Sequence, residues 1–252
     1  MKKSKINFGG NIIKRIENNI IREKLMNNNR YYYEYFKAVK KGNFHLKNIN
    51  NANIIFLKKN KKSSIFIDNK SYKISNLKGL FIKKRQISLK IKNGPVSFLI
   101  AGIKQKIKNE KIVKLRKKFY KVTKPWGYEL WLNGEKPTFA FKKIFIRKGH
   151  QTSLQYHKKK YETNFLYKGI ANLFYTKHNN IRQTKKILSK IEFKKIVNRD
   201  VVNVRPNIVH RIKALTDISL YEVSTPHLSD VIRIADDNNR KSGKILKEHR
   251  KY

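Results

Sequence analysis

One short segment, residues 149–169 (GHQTSLQYHKKKYETNFLYKG), constrains the fold more than any other part of the chain. Gln155 and His157 are two residues apart, so a β-strand would place both side chains on the same face of a sheet. Glu162 follows a turn of three lysines, and a returning strand could bring its carboxylate beside them. His210 lies further along, in RPNIVHRI. Two imidazoles, a carboxylate and an amide oxygen suit Zn²⁺, Mn²⁺ or Fe²⁺. The segment therefore predicts a metal site in a small β-barrel.

The spacing within this segment resembles the first sequence motif of the cupin family, which reads Gly, five residues, His, one residue, His, three or four residues, Glu, six residues, Gly. Gly149, Gln155, His157, Glu162 and Gly169 reproduce these intervals, with glutamine at the first ligand position. The resemblance implies a jelly-roll β-barrel whose interior holds a metal ion.

The second cupin motif, Pro-x-Gly-x-x-His, is matched in part. Arg205 and Asn207 stand at its proline and glycine positions, Pro206 lies between them, and His210 keeps its place. The pair Gln-x-His, together with KPWGYELWL, FKKIFIRKGHQTSLQYH and STPHLSDVIRIADDNNR, resembles the cupin domain of type II mannose-6-phosphate isomerases over about residues 122–240. A cupin of this type implies one divalent ion, held by Gln155, His157, Glu162 and His210.

The isomerase resemblance implies an aldose–ketose interconversion of a sugar phosphate that feeds sugar-nucleotide or surface polysaccharide synthesis. It places Lys142 and Lys143 on a barrel strand and Arg211 beside His210, where they would hold the phosphate. Arg211 could hold it with two parallel hydrogen bonds, whereas a lysine acts as a point charge. Only one of two adjacent strand residues can face inward. The catalytic base stays open between hydroxide held by the metal, His150, Glu129 and Glu222.

Two other functions remain open. Related cupins include nucleotide-sugar epimerases and ketoisomerases that work without a metal, which the complete set of four candidate ligands disfavours. A non-catalytic sugar-binding or assembly cupin is favoured by the degenerate second motif and by the lack of a nucleotidyltransferase domain. The expected ligand is therefore a sugar phosphate or a nucleotide sugar.

The chain reads as two modules of the same kind. Residues 79–103 show the same rhythm of strands and turns as residues 200–223, with Leu89 at the position of His210. Short strands broken by regular turn signals are typical of jelly-roll barrels. We therefore predict an all-β fold of two tandem cupin domains: a degenerate domain without metal ligands over residues 1–110, and a metal-binding domain over residues 119–252. The first domain would serve structure or dimerisation, so a homodimer is expected.

The N-terminal segment predicts a helix. Residues 1–30 are polar and rich in asparagine, and their isoleucines recur at helical spacing, which favours an amphipathic helix packed across a barrel. These isoleucines are Ile12, Ile13, Ile16, Ile20 and Ile21.

Composition limits the possible partners. A net charge of +45 would ordinarily suggest nucleic acid or an anionic membrane surface. The lysines, however, are scattered through every predicted strand and turn, and the abundance of Lys, Ile and Asn together is what A/T-rich codons produce. This pattern disfavours nucleic acid. No apolar run approaches the length of a membrane span, so no membrane association is predicted.

The chain has no cysteine, which excludes disulfides, thiolate metal ligands and a cysteine nucleophile. Its basic N-terminus lacks the apolar segment and the small-residue cleavage site of a signal peptide. Together these features predict a cytoplasmic protein.

Overall fold

The computed structural model describes residues 7–8, 14–17, 19–59, 64–72, 77–105, 109–114, 119–133, 138–176 and 188–249. Within this part the chain forms four β-sheets and the short 3-10 helix Leu246–His249, which confirms the predicted all-β class. No helix in these residues has the length and apolar character that a membrane crossing requires. The chain divides into an N-terminal unit, Asn11–Phe119, and a C-terminal unit that joins Met1–Gly10 to Tyr120–Tyr252.

The described part of the N-terminal unit contains two antiparallel sheets. The seven strands of the first sheet are, in spatial order, Lys111–Lys114, Gly79–Lys83, Ala52–Lys59, Val96–Gly102, Tyr32–Ala38, Ile20–Asn27 and Lys14–Glu17. The four strands of the second are Gly42–Lys47, Gln86–Lys92, Ser64–Ile67 and Lys70–Tyr72.

Apolar side chains fill the interior of this unit because its strands alternate. On Gln86–Lys92 every second residue is buried, as the two-residue period of a strand requires. Leu89 is one of these buried residues, and it lies in an apolar cluster with Phe36 and Phe98, whose rings stack with centroids 4.9 Å apart. Leu89, at the position predicted to correspond to His210, is therefore packed in the apolar core of this unit.

The prediction of an N-terminal helix is wrong. Lys14–Glu17 and Ile20–Asn27 are strands that pair as an antiparallel hairpin. Asn19, between them, has a positive φ of 63°, a conformation that asparagine tolerates and that tight turns use. β-branched isoleucine packs well on a pleated sheet, so the same residues that suggested a helix also suit a hairpin. The two remaining isoleucines of the predicted helix lie outside the described residues: Ile12 and Ile13.

The described part of the C-terminal unit also contains two antiparallel sheets. The seven strands of the first are, in spatial order, Asn7–Phe8, Val201–Val204, Glu162–Lys168, Ile218–Ser224, Ala140–Ile146, Gly127–Trp131 and Tyr120–Lys124. The five strands of the second are Glu192–Ile196, Ala171–Tyr175, His210–Ala214, Leu154–Tyr156 and Ile232–Ala235.

The inward face of the seven-stranded sheet changes from apolar to polar along its strands. On the strand Ala140–Ile146, Ile146 and Ile144 belong to the apolar core, and Lys142, on the same face, lines the cavity. On Ile218–Ser224, the core residues give way to Glu222 in the same manner. Because a strand repeats every two residues, these polar side chains point into the same space as the core. Together they line a cavity at one end of the unit.

Glycines at both ends of segment 149–169 have backbone conformations that other residues rarely adopt. Gly149 has a φ of 79° and Gly169 a φ of 100°. A Cβ atom at Gly169 would lie 2.5 Å from the carbonyl oxygen of Asp217, whereas one at Gly149 would meet nothing within 4 Å.

We therefore expect Gly169→Ala to lower the free energy of unfolding by more than Gly149→Ala, for which the left-handed backbone alone costs about 1–2 kcal/mol. Denaturant unfolding of the two variants beside the parent chain measures the difference. Equal losses would show that the close approach of Asp217 does not restrict Gly169.

Candidate metal centre

Three buried side chains meet at the polar end of the C-terminal unit: His157, Glu162 and His210. Glu162 is the first residue of the strand Glu162–Lys168, and His210 is the first of His210–Ala214. Their potential ligand atoms all lie within 4.8 Å of one another. The structure thus brings together three of the four residues that the motif spacing selected, and these three could hold a metal ion.

Each histidine turns its Nε2 atom toward Glu162. The Nδ1 atom of His157 lies at hydrogen-bond distance from the carbonyl oxygen of Asp230, and Nδ1 of His210 is 3.0 Å from that of Ile208. A carbonyl oxygen only accepts hydrogen bonds, so each imidazole carries a proton on Nδ1. The Nε2 atoms of His157 and His210 are 3.5 Å and 3.1 Å from oxygens of the Glu162 carboxylate.

The Nε2 atom of His157 is buried and has no hydrogen-bond partner among the described residues. Burial and the charge of Lys160 lower the pKa of His157, so its imidazole is neutral at pH 7 and Nε2 presents a lone pair. A lone pair that faces a carboxylate oxygen is repelled by it unless a cation lies between them. Two imidazoles and a carboxylate are ordinary ligands of divalent transition metals, so this group fits such an ion.

Gln155, the fourth candidate ligand, lies beside this cluster. It is the central residue of the strand Leu154–Tyr156, it stands opposite His210 in the sheet register, and it lines the same cavity. Its Oε1 atom accepts a hydrogen bond from the hydroxyl of Ser153 at 2.6 Å. An amide oxygen has two lone pairs, so one remains for a further partner.

Two further donors hold the Glu162 carboxylate. Nζ of Lys160 donates to Oε2 at 2.6 Å, and Nδ2 of Asn164 donates to Oε1 at 3.1 Å. Burial alone would raise the pKa of Glu162, but the charge of Lys160 beside it holds that pKa well below its usual range. Burial would likewise lower the pKa of Lys160, and the carboxylates of Glu162 and Glu222 raise it instead. Both groups are therefore charged.

Asp230 orients the turn that carries His157. Its carboxylate accepts hydrogen bonds from the backbone N–H groups of Lys158 and Lys160, each at 3.0 Å, and from that of Lys159. Its own carbonyl oxygen accepts from His157. Outer-shell contacts of this kind fix the tautomer and direction of a ligand. The sequence held no signal for Asp230, since it lies far from the motif and only the fold brings it there.

The cluster opens into a cavity of about 110 Å³. Six basic and three acidic side chains line it. Asp236 and Glu248, outside the lining, form ion pairs with Arg240 and Lys124, so an excess of one positive charge remains when histidines are neutral. The basic residues are Lys124, Lys142, Lys160, Arg233, Arg240 and Lys244. The acidic residues are Glu129, Glu162 and Glu222. A cavity with this charge attracts anions.

The two adjacent lysines of the predicted phosphate site are separated by the strand. Lys142 lines the cavity, with its Nζ atom 3.4 Å from Oε2 of Glu129 and 4.5 Å from the ring centroid of Trp131. Lys143 lies on the opposite face and is not part of the lining. One inward lysine of the pair is what strand geometry allows.

Arg211 is directed away from the cavity. It follows His210 on the same strand, so its side chain projects from the other face of the sheet. Its Nη2 atom donates to the carbonyl oxygen of Ala235 at 3.0 Å and lies 3.3 Å from Oδ1 of Asp237. Arg211 thus connects the strand His210–Ala214 to residues 235–237 by hydrogen bonds.

Of the candidate bases, two carboxylates lie in the cavity and His150 does not. Glu222 is 2.9 Å from Nζ of Lys160 and accepts a hydrogen bond from the Ser224 hydroxyl at 2.8 Å. Burial would raise the pKa of Glu129, but its basic neighbours, Lys142 first among them, lower it to about 2. His150 is an exposed residue.

No protein-family model matches the chain, and no curated protein matches it significantly in sequence. Solved structures do match. The oxalate decarboxylase of Lactobacillus farciminis in its formate complex has a TM-score of 0.64 and 11% identity, over 92% of this chain and 89% of its own. The 11S allergen of Cocos nucifera has a TM-score of 0.65 and 8% identity, over 89% and 90%.

An oxalate decarboxylase of Bacillus subtilis, a protein with Mn(II) centres, matches with a TM-score of 0.60 and 8% identity, over 88% of this chain and 77% of its own. At these identities the similarity concerns the fold alone. It extends over most of the chain, and it is consistent with the predicted tandem cupin fold.

Proposed function

We propose that the C-terminal unit holds one divalent metal ion through Gln155, His157, Glu162 and His210, and that the chain isomerises a small sugar phosphate. The observation that carries the metal site is the buried Nε2 lone pair of His157, which faces a carboxylate oxygen at 3.5 Å and has no hydrogen-bond partner among the described residues. Mixed nitrogen and oxygen ligands suit Mn²⁺, Fe²⁺ or Zn²⁺. A bound ion of this kind stabilises negative charge on substrate oxygens.

The cavity supports a small anionic substrate. Its excess of basic side chains favours a phosphate or a carboxylate. Its volume of about 110 Å³ is small beside the roughly 300–1,000 Å³ of pockets that hold drug-sized ligands, which favours a sugar phosphate over a nucleotide sugar. Of the three residues predicted to bind the phosphate, Lys142 alone lines the cavity, so we assign phosphate binding to it.

Isomerisation of an aldose to a ketose moves a proton from C2 to the carbonyl carbon C1, while the hydroxyl proton passes from O2 to O1. A side chain within reach must hold the C2 proton in between. Glu222 suits this role because it is buried in the cavity wall beside the proposed ligands. Glu129 suits it less, since a carboxylate with a pKa of about 2 binds a proton weakly.

The metal site predicts the metal content of the purified protein. Protein prepared without chelator should contain about one equivalent of a divalent transition metal, since there is one set of ligands. The double variant His157→Ala, His210→Ala should lose it, whereas His150→Ala, which alters an exposed histidine outside the cavity, should retain it. Elemental analysis after gel filtration measures all three. Equal metal content in the double variant and the parent would refute the assignment of ligands.

The reaction predicts exchange of a substrate proton with solvent. Metal-loaded protein incubated with mannose 6-phosphate and other hexose and pentose phosphates in D₂O should introduce deuterium at C2 and form the ketose. Glu222→Gln should slow this by about 10²- to 10⁴-fold, the usual contribution of an acid–base group. Lys142→Gln should mainly raise KM, and the matched control Lys143→Gln should do neither. NMR follows both exchange and product.

Metal-loaded parent protein that exchanges no proton at C2 of any of these sugars would refute the isomerase. Binding of the same sugars without turnover would instead favour a sugar-binding cupin. Oxalate in a parallel reaction tests whether release of CO₂, the reaction named for two of the structural neighbours, takes place here.

A further inference from the structure

A buried ammonium group occupies the polar end of the C-terminal unit. Lys160 is 5% exposed, and its Nζ atom lies 2.6 Å from Oε2 of Glu162 and 2.9 Å from Oε1 of Glu222. Both carboxylates are also 5% exposed. Two buried negative charges are thus bridged by one buried positive charge, and one of them belongs to a proposed metal ligand.

The contacts of Glu162 place this ammonium in competition with a metal ion. Oε2 of Glu162 is the oxygen that Lys160 binds and also the one that faces Nε2 of His157 at 3.5 Å. Oε1 already accepts from Asn164 and faces His210 at 3.1 Å. A metal ion placed between the carboxylate and the imidazoles would therefore compete with Lys160 for Oε2 of Glu162.

We propose that Lys160 is an internal competitor of the metal ion for Glu162, and that metal binding releases one of its N–H donors to an anionic group of the ligand. The inference rests on the proposed metal site but not on the isomerase reaction. An ammonium group has three donors, of which Glu162 and Glu222 take two. When Glu162 turns to the metal, Lys160 keeps Glu222 and regains a donor.

A released donor in this position would face the cavity. Lys160 lines the cavity, and a buried donor without a partner is costly. A phosphate or carboxylate oxygen that enters the cavity would satisfy it with a charge-assisted hydrogen bond. Metal and anion should then strengthen each other's binding, because coupling between two ligands is reciprocal.

The first test is the affinity for Mn²⁺ alone, measured by isothermal titration calorimetry. Lys160→Met removes the competitor, so we expect it to bind Mn²⁺ about 10- to 100-fold more tightly than the parent, the size of effect that outer-shell changes produce. The matched control is Lys142→Met. It removes another buried lysine of the same cavity, but one whose acidic partner, Glu129, is not a proposed ligand, and its affinity should stay within about threefold of the parent, because its charge does not compete for Glu162.

The second test measures the coupling with sulfate as the anion probe, at an ionic strength held constant with chloride. Sulfate should tighten Mn²⁺ binding to the parent by about fivefold or more, a typical allosteric coupling. Lys160→Met should abolish this effect. Lys143→Met, which alters a lysine outside the cavity, should preserve it.

Each outcome separates this inference from the proposed function. Parent protein that binds no Mn²⁺ refutes the metal site and the inference together. Mn²⁺ binding without sugar turnover refutes the isomerase alone. Lys160→Met that binds Mn²⁺ no more tightly than Lys142→Met, or that keeps the full effect of sulfate, overturns the inference alone.

Loss of a buried ammonium could also prevent folding, so circular dichroism with and without Mn²⁺ accompanies the titrations. Lys160→Gln, which keeps a hydrogen-bond donor without the charge, is measured in the same way. Variants that fold only when Mn²⁺ is added would support the inference, since the metal would replace the missing positive charge. If both variants stay unfolded with Mn²⁺ present, the metal cannot take the place of Lys160, and the inference fails.

Discussion

The geometry of the site is organised around the buried, negatively charged carboxylate of Glu162. An isolated carboxylate in a protein interior is strongly unfavourable, and this one is 5% exposed. Lys160 at 2.6 Å and Asn164 at 3.1 Å offset much of that cost. Two imidazoles turned toward the same carboxylate then complete a group whose donor atoms converge on one point. The neighbouring side chains thus compensate this single buried charge.

The sheets place this charge at the boundary between the core and the cavity. The strand Glu162–Lys168 begins with Glu162, and the residues of the same face further along it include Leu166, a member of the apolar core. The same change from polar to apolar occurs on the strand that carries Glu222. Two sheets packed around an apolar core therefore support the polar end, and side chains held by such packing keep the geometry that binding a metal or a substrate requires.

The sequence predicted the elements that depend on local spacing. Gln155 and His157 could be placed together because residues two apart on a strand share a face. A helix was predicted where the N-terminal hairpin lies, because pairs of adjacent isoleucines fit both the helical and the strand period. The turn at Asn19 and the strand pairing around it show that the segment is a hairpin. The direction of Lys142 could not be chosen over that of Lys143, because alternation on a strand leaves the phase undetermined until the sheet is known.

The all-β class and the group of residues from which His157, Glu162 and His210 come could be predicted from the sequence, because strand period and motif spacing are local properties of a chain. Only the tertiary structure decided that Lys160 bridges two buried carboxylates and that Asp230 clamps the turn before Glu162. In a chain with 61 lysines and arginines, no local pattern distinguishes one lysine from another. Burial does, because a charge removed from water must find partners, and those partners come from distant strands that meet only in the folded protein.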